Sequence, residues 1–137
     1  MESPVSVLGI GIDLVDVARA RHLLERHGAR ILARTLTDTE RTYVVAGADP
    51  AQAFAARLAA KEAAYKALQA LDGARGIAWR DLEVVRDPGG RPSLALHGLA
   101  ARLVAANMPL RLRISLTHSH TSAAAVVLVE ALPSNSD

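Results

Sequence analysis

Apolar residues alternate with small or polar residues from Val5 to Val15, and this period of two predicts a β-strand near the N-terminus. One face of the strand is apolar and carries Leu8, Ile10, Ile12 and Leu14. The opposite face has no side chains at Gly9 and Gly11 and ends at the carboxylate of Asp13. Glycines inside a strand indicate close approach of a ligand or of another backbone, and a bulge that leads Asp13 into a helix is an equally good interpretation.

Helix signals follow the strand. Asp16 is a candidate N-cap for a helix over roughly 17 to 27, which Gly28 would stop. A capping box over Thr37–Glu40 is a further helix start. The segment Phe54–Leu68 (FAARLAAKEAAYKAL) is rich in alanine and leucine and contains no Gly or Pro, so it predicts a long helix that ends near Leu71.

The second half of the chain changes to strand and turn patterns. Apolar runs at 82–85 and 94–96 flank the turn residues 87–92, which predicts a hairpin. A helix at 98–106 and strands at 111–117 and 123–131 follow, with the polar turn His118–Ser122 between the two strands. This order predicts an α+β fold with a mainly antiparallel sheet packed on the long central helix. We expect one domain over 1–137, with frayed ends at 1–4 and 133–137.

Composition excludes several classes of protein. The absence of cysteine excludes disulfides and thiolate metal sites. No apolar run approaches the roughly 18 residues of a membrane span, and the N-terminus lacks a signal-peptide pattern, so a soluble cytoplasmic protein is expected. A net charge of +2 and few aromatic residues disfavour nucleic acid as a partner.

Charge is nevertheless uneven along the chain. Five arginines and two histidines between Arg19 and Arg34 face only one acid, Glu25, which suits an acidic partner protein, although a solvated basic face is the common alternative. Arg19, His22 and Arg26 would share one outward helix face.

Candidate chemistry is concentrated in the alanine-rich helix, which contains Arg57, Lys61, Glu62 and Lys66. The simplest interpretation is a surface pair between Glu62 and Lys66, with Lys61 extending along apolar surface. Lys61 falls within the apolar stripe of the helix, where an isolated charge is costly and requires a partner. His118 and His120 are suitable metal ligands by type, but no third nitrogen or sulfur ligand is evident beside them.

Three segments together resemble one family, the holo-[acyl-carrier-protein] synthases, which are small bacterial 4′-phosphopantetheinyl transferases. They are GIGIDLVDVAR (residues 9–19), the alanine-rich helix, and ISLTHSHTSAAAVVL (residues 114–128). The resemblance covers nearly the whole chain in family order. It implies the fold of that family and transfer of phosphopantetheine from coenzyme A to a serine of an acyl carrier protein, with release of adenosine 3′,5′-bisphosphate.

The resemblance also assigns residues. Asp13 and Glu62 match two Mg²⁺ carboxylates, which suits an ion that keeps waters and binds substrate phosphates. Lys66 matches a lysine near the phosphates, and Arg57 and Lys61 are weaker matches to coenzyme A ligands. His118 matches a residue at the nucleotide end of coenzyme A, donated by a neighbouring subunit of a homotrimer.

The same resemblance implies that the acidic carrier protein binds to Arg19, Arg21 and Arg26. The general base stays open between Glu62, a metal-bound water and an unidentified group. Whether the carrier serves fatty-acid biosynthesis, and hence lipid metabolism, or polyketide synthesis is also open. Two positions depart from the family pattern: Leu58 replaces a usual Phe, and Ser119 stands where many relatives have Asp. The rival hypothesis is a non-catalytic module that binds an acidic partner through the basic helix Arg19–Arg34.

Overall fold

A long buried helix and a three-stranded sheet form the centre of the computed structural model, which describes residues 4–107 and 109–133. The elements in chain order are β1 (Ser6–Asp16), α1 (Val17–Thr35), α2 (Asp38–Ala46), α3 (Pro50–Leu68), 3₁₀ turns at Ala74–Gly76 and Trp79–Asp81, β2 (Leu82–Arg86), β3 (Pro92–Leu96), α4 (Gly98–Ala106), β4 (Leu110–His118) and β5 (Ser122–Ala131). The predicted α+β fold is confirmed. The predicted frayed ends lie largely outside the described residues.

The central helix α3 is built from alanine because it is packed on nearly every side. Most of its residues are buried, including the fully buried Phe54 and Leu68. Its start is fixed by Asp49, whose side chain accepts a hydrogen bond from the Gln52 backbone N–H at 3.1 Å. The helix ends at Leu68, three residues before the predicted end, and tight turns lead on to Gly73, which has a positive φ of 86°.

All strand pairs in the described residues are antiparallel. The strands β1, β5 and β4 form one sheet in that order, and β2 and β3 form the predicted hairpin as a second, separate sheet. The three-stranded sheet places one face against α3. Asp13, paired with Ala125 of β5, lies on the strand that packs directly against the helix.

The glycines of β1 explain how closely the strand approaches the helix. A Cβ atom at Gly9 would lie 2.1 Å from the Ala67 carbonyl oxygen, and one at Gly11 would lie 1.9 Å from the Ala63 carbonyl oxygen. Of the interpretations open from sequence, close approach of another backbone therefore holds at both positions. The strand also has a register irregularity between Val7 and Gly9, so a bulge-like feature is present as well.

The outer face of the same sheet is apolar and exposed along β1. Ile10, Ile12 and Leu14 are each about two-thirds exposed, at 65%, 68% and 64%. Their cross-strand partners on β5 are Leu128, Val126 and Ala124, so the apolar surface continues onto the next strand. A contiguous exposed apolar surface of this kind is typical of an interaction site.

The first helix is longer than predicted. Gly28 interrupts it with φ 44° and ψ −123°, but the chain resumes helical structure and continues to Thr35. The sequence prediction of a stop at Gly28 is therefore wrong in extent, although Gly28 does break the helical geometry because it tolerates positive φ. The next helix begins with the predicted capping box between Thr37 and Glu40, which is confirmed.

Candidate active site

The end of β1 brings an acid to the middle of α3. Asp13 Oδ1 accepts a hydrogen bond from Lys66 Nζ at 3.1 Å, and Lys66 also donates to the Ile12 carbonyl oxygen at 3.0 Å. The Asp13 side chain is only 12% exposed, and its second oxygen, Oδ2, is buried without a hydrogen-bond partner in the described structure. The expected surface pair between Glu62 and Lys66 is thus replaced by a pair between Lys66 and Asp13.

Glu62 lies near this pair, and the Asp13 carboxyl group is close enough to act on its pKa. The pKa of Glu62 is raised from 4.5 to about 7, first by burial and then by the neighbouring carboxyl group of Asp13. The positive charges of Arg19 and Lys66 oppose this rise in pKa. Two acids that share a small space in this way favour a cation or a shared proton between them.

A magnesium ion fits the residues of this cluster. Within residues 4–107 and 109–133, no set of three or more His, Cys, Asp or Glu side chains is arranged to hold a metal. Mg²⁺ commonly uses only one or two protein carboxylates and completes its octahedron with water and substrate phosphates. The orphaned Asp13 Oδ2 and the adjacent Glu62 carboxyl group supply two such oxygens.

The structure gives Lys61 a role different from the predicted one. Its ammonium is 0% exposed and donates three hydrogen bonds, to Glu40 Oε1 at 2.7 Å, the Leu82 carbonyl at 2.7 Å and the Trp79 carbonyl at 3.0 Å. All three donors of the ammonium are used, so Lys61 has none left for coenzyme A, and we correct that assignment. Burial lowers the pKa of Lys61, and the charge of Glu40 opposes this effect.

Sequence reasoning identified Glu40 only as a capping residue, but it is also the buried partner of Lys61. Glu40 is 1% exposed, and its second oxygen accepts a hydrogen bond from the Val84 backbone N–H at 3.0 Å. The available signal was a lysine in the apolar stripe of a helix, which requires a buried acceptor. The pair joins α2, α3 and β2.

Arg57 is also buried, at 4% exposure, and its guanidinium carbon lies 4.2 Å from the centre of the Tyr43 ring. Burial lowers the pKa of Arg57, and its Nε has no partner in the described structure. A cavity of about 510 Å³ on the other side of Tyr43 is lined by Tyr43, Gln52 and the residues that connect α2 to α3, and Arg57 is not part of its lining. The predicted role of Arg57 in binding coenzyme A stays a prediction.

His118 is separated from the carboxylates within one chain. It ends β4 and is exposed, and the Gln52 side chain donates to the next carbonyl, that of Ser119, at 2.9 Å. That contact fixes the histidine turn at the N-terminal end of α3. Glu62 lies ten residues after Gln52 on α3, which corresponds to roughly 15 Å along the helix at 1.5 Å per residue. The chain does not bring His118 together with Asp13, Glu62 and Lys66.

The basic face of α1 is exposed as predicted. Among the described residues, Arg19 and Arg26 form no ion pair, while Arg21 lies 3.8 Å from the Asp49 carboxylate. Arg19 is near enough to the acidic cluster for its charge to lower the pKa of Glu62. The basic face therefore begins next to the candidate site.

The sequence from the first glycine of β1 to the start of β5 matches a known family. A sequence model described as the 4′-phosphopantetheinyl transferase superfamily matches residues 9–124. The chain belongs to this superfamily. Among its members, the holo-[acyl-carrier-protein] synthase of Methylobacterium radiotolerans is 47% identical over 131 residues, which cover 93% of this chain and 96% of that protein. No helix in the described residues is long and apolar enough to cross a membrane.

Solved structures of phosphopantetheinyl transferases share the fold. The Mycobacterium tuberculosis acyl carrier protein synthase superposes with a TM-score of 0.72 at 35% identity and covers 92% of this chain and 99% of its own. The Helicobacter pylori holo-[acyl-carrier-protein] synthase, solved in complex with coenzyme A, has a TM-score of 0.72 at 29% identity and covers 88% and 98%. The predicted family is confirmed.

The raised pKa of Glu62 predicts a pH dependence of stability in the cation-free protein. The folded state holds the Glu62 proton up to about pH 7, whereas the unfolded state releases it near 4.5, so the folded state loses stability as pH rises between these values. Solvent screening of this partly exposed group limits the loss to on the order of 1 to 2 kcal/mol. Urea unfolding with EDTA at pH 5 and pH 8 measures it. Glu62→Gln should remove this component, and an identical pH dependence in that variant would contradict the prediction.

Proposed function

We propose that this protein transfers the 4′-phosphopantetheine group from coenzyme A to a serine hydroxyl of an apo acyl carrier protein. The serine oxygen forms a bond to the β-phosphorus, the bond to the adenosine 3′,5′-bisphosphate leaving group breaks, and the serine proton is released. The convergence of Asp13 and Glu62 beside Lys66 carries the proposal. Relatives named holo-[acyl-carrier-protein] synthase, some solved with coenzyme A, support it.

The residues of the cluster take complementary roles in the proposed reaction. Asp13 and Glu62 would hold Mg²⁺, which when bound would neutralise charge on the diphosphate. Lys66 adds an ammonium that acts as a compact point charge on the phosphates. Its 3.1 Å contact with Asp13 places that charge at the carboxylate pair before substrate arrives. Positioning and charge are the main sources of catalysis in phosphoryl transfer.

Two further residues are proposed to bind the nucleotide part of coenzyme A. For Arg57, the support is its guanidinium, which stacks on the Tyr43 ring, and its buried Nε, which has no partner in the described structure. For His118, the support is its exposure near the N-terminal end of α3, beside the contact between Gln52 and Ser119. We propose that His118 acts in the site of a neighbouring subunit. The proposed compartment is the cytoplasm, where coenzyme A and carrier proteins are available.

The experiment that tests the function is direct. The protein is incubated with Mg²⁺, coenzyme A and apo carrier proteins of both fatty-acid and polyketide synthesis, and the mass of each carrier is measured. The expected result is a gain of one phosphopantetheine group on at least one carrier. No mass gain on any carrier would instead favour a binding module that uses the basic helix.

The basic face of α1 is the proposed docking surface for the acidic carrier protein. Reversing the exposed Arg26 to Glu should raise the KM for the carrier by about 3- to 10-fold, since each exposed ion pair contributes roughly 1 kcal/mol or less. The KM for coenzyme A should stay unchanged. Arg26 is preferable to Arg19 because the charge of Arg19 also reaches Glu62.

A matched control for this test is Arg91→Glu, which makes the same charge change at an exposed position in the hairpin turn. Electrostatic docking also predicts that the effect of Arg26→Glu shrinks at high salt. Equal rises in the KM for carrier and for coenzyme A would contradict the docking assignment.

A homotrimer is proposed through the exposed apolar face of the three-stranded sheet. The exposed strip on β1 and the distance of His118 from the carboxylates of its own chain both support subunit contact. Ile12→Asp should dissociate the assembly and reduce transfer, because a charge would be buried in an apolar interface. Light scattering after gel filtration measures the mass. Val45→Asp, at an apolar position on α2 that is 59% exposed, is the control, and a trimer that survives Ile12→Asp would refute this interface.

A further inference from the structure

The turn that follows His118 is held by a side chain of α3 that has no role in the reaction as proposed above. The side-chain amide of Gln52 donates a hydrogen bond to the Ser119 carbonyl oxygen at 2.9 Å. The two residues are 67 positions apart in the sequence, so the contact is tertiary and is not needed to form the turn itself. It ties the end of β4 to the N-terminal end of α3.

The backbone of Gln52 is fixed by the start of α3. Pro50 occupies the first position of the helix, and the Gln52 backbone N–H donates to the Asp49 side chain at 3.1 Å. Ala51 and Phe54, which flank Gln52 in the first turn of the helix, are buried in the core. The Gln52 side chain is half-buried. The amide is therefore presented to the turn from a well-packed position.

The shape of the turn is set by Ser119. The backbone N–H of Ser119 donates to the Ser122 carbonyl oxygen at 2.8 Å. The Ser119 hydroxyl accepts hydrogen bonds from the backbone N–H groups of Thr121 and Ser122 at 3.2 and 3.1 Å. All of these bonds lie within the turn, so they fix its shape and leave its orientation toward α3 to other contacts.

His118 depends on those other contacts because it is the last residue of β4. On its N-terminal side it is held by the strand ladder, in which it pairs with Ala123 of β5. On its C-terminal side, two hydrogen bonds tie the tip of the turn to other elements of the described structure. One runs from the Val17 N–H to the Thr121 carbonyl oxygen at 2.9 Å, and the other is the bond from Gln52. The Gln52 bond is the closer of the two to His118 along the chain.

We infer that Gln52 is a positioning residue for His118, an inference that rests on the proposed function of His118 in binding the nucleotide part of coenzyme A. Gln52 acts through Ser119 and does not contact the co-substrate. Without the amide donor the turn keeps its internal hydrogen bonds but loses its tie to α3, so the exposed imidazole is no longer held in one place before the ligand arrives. A binding group that must be ordered on binding contributes less affinity. Because His118 is proposed to act in the site of a neighbouring subunit, Gln52 supports that neighbour's site.

Gln52→Met tests this inference, because methionine keeps the length of the side chain and a high helix propensity but cannot donate. The Kd and the KM for coenzyme A in Mg²⁺ should rise roughly three- to tenfold, the range expected for one hydrogen bond. The kcat, the KM for the carrier and the unfolding temperature should stay unchanged, as expected when only uniform binding of the co-substrate is lost. An unchanged Kd would overturn the inference.

The control is Asn107→Leu. The exposed Asn107 side chain also donates to a backbone carbonyl oxygen, that of Leu103 at 2.8 Å, at the end of α4. Its loss should leave the Kd for coenzyme A unchanged. A rise in Kd equal to that of Gln52→Met would show that the effect is not specific to the turn and would count against the inference.

A double variant shows whether Gln52 acts through His118. In the His118→Ala background, Gln52→Met should cause no further rise in the Kd for coenzyme A, because both changes remove the same contact. The same rise in both backgrounds, or an unchanged Kd in His118→Ala alone, would refute the assignment.

Hydrogen exchange measures the turn directly. The backbone amides of Thr121 and Ser122 should exchange faster in Gln52→Met than in the unaltered protein, since their turn is no longer tied to α3. Unchanged exchange would show that Gln52 does not hold the turn. The binding and exchange measurements need no carrier protein, so a failure of this inference is distinct from a failure of the transfer reaction.

Discussion

Converting Asp13 to Asn or Glu62 to Gln should reduce phosphopantetheine transfer at least about a hundredfold without unfolding the protein. The two carboxyl groups are the proposed ligands of Mg²⁺, and a bound cation contributes several kcal/mol of charge stabilisation in the transition state. Neither amide can supply the lost negative charge. Carrier mass measured over time at saturating coenzyme A gives the rate, and thermal unfolding gives the stability.

The control for this prediction is Asp16→Asn. Asp16 is exposed at the start of α1, and its side chain makes no capping hydrogen bond, so the variant should retain transfer and stability. Glu62→Gln should also preserve or raise the unfolding temperature at pH 8 in EDTA, since it removes repulsion between two acids. Normal transfer rates in both Asp13→Asn and Glu62→Gln would refute the catalytic assignment.

The same substitution should affect stability at one lysine of α3 and transfer at the other. Lys61→Met should lower the free energy of unfolding by about 3 to 5 kcal/mol, because it leaves the charge of Glu40 buried without its partner. Lys66→Met should change stability by less than about 1 kcal/mol, since Lys66 is 55% exposed, but should reduce transfer. Urea unfolding of both variants measures the difference.

A double variant separates the buried charge from a general packing effect. Adding Glu40→Gln to Lys61→Met neutralises the stranded carboxylate, so the double variant should be more stable than Lys61→Met alone. If Glu40→Gln instead lowers stability further by its full single-variant effect, the two residues are not coupled as the 2.7 Å contact indicates.

Much of this fold was predictable because its signals are local. Period-two alternation, the capping box at Thr37 and the turn residues 87–92 each act within a few positions, and the elements that they predict are present. The helix extent past Gly28 was not predictable in the same way, since a glycine with positive φ either ends a helix or kinks it, depending on what the following residues pack against.

The site was predictable only in part. Family resemblance selected Asp13, Glu62 and Lys66, and folding brings their side chains together. The function of Lys61 was assigned wrongly because its partner, Glu40, is 21 residues away on another helix, a contact that no helical periodicity reveals.

The two glycines of β1 have a consequence for the cation site. They let the strand rest on the carbonyl groups of α3, and this contact sets how far the strand stands from the helix. An alanine at Gly11 would act as a spacer that lifts β1 and carries Asp13 away from Glu62. The separation of the two proposed magnesium ligands thus depends on glycine positions that do not themselves contact the ion.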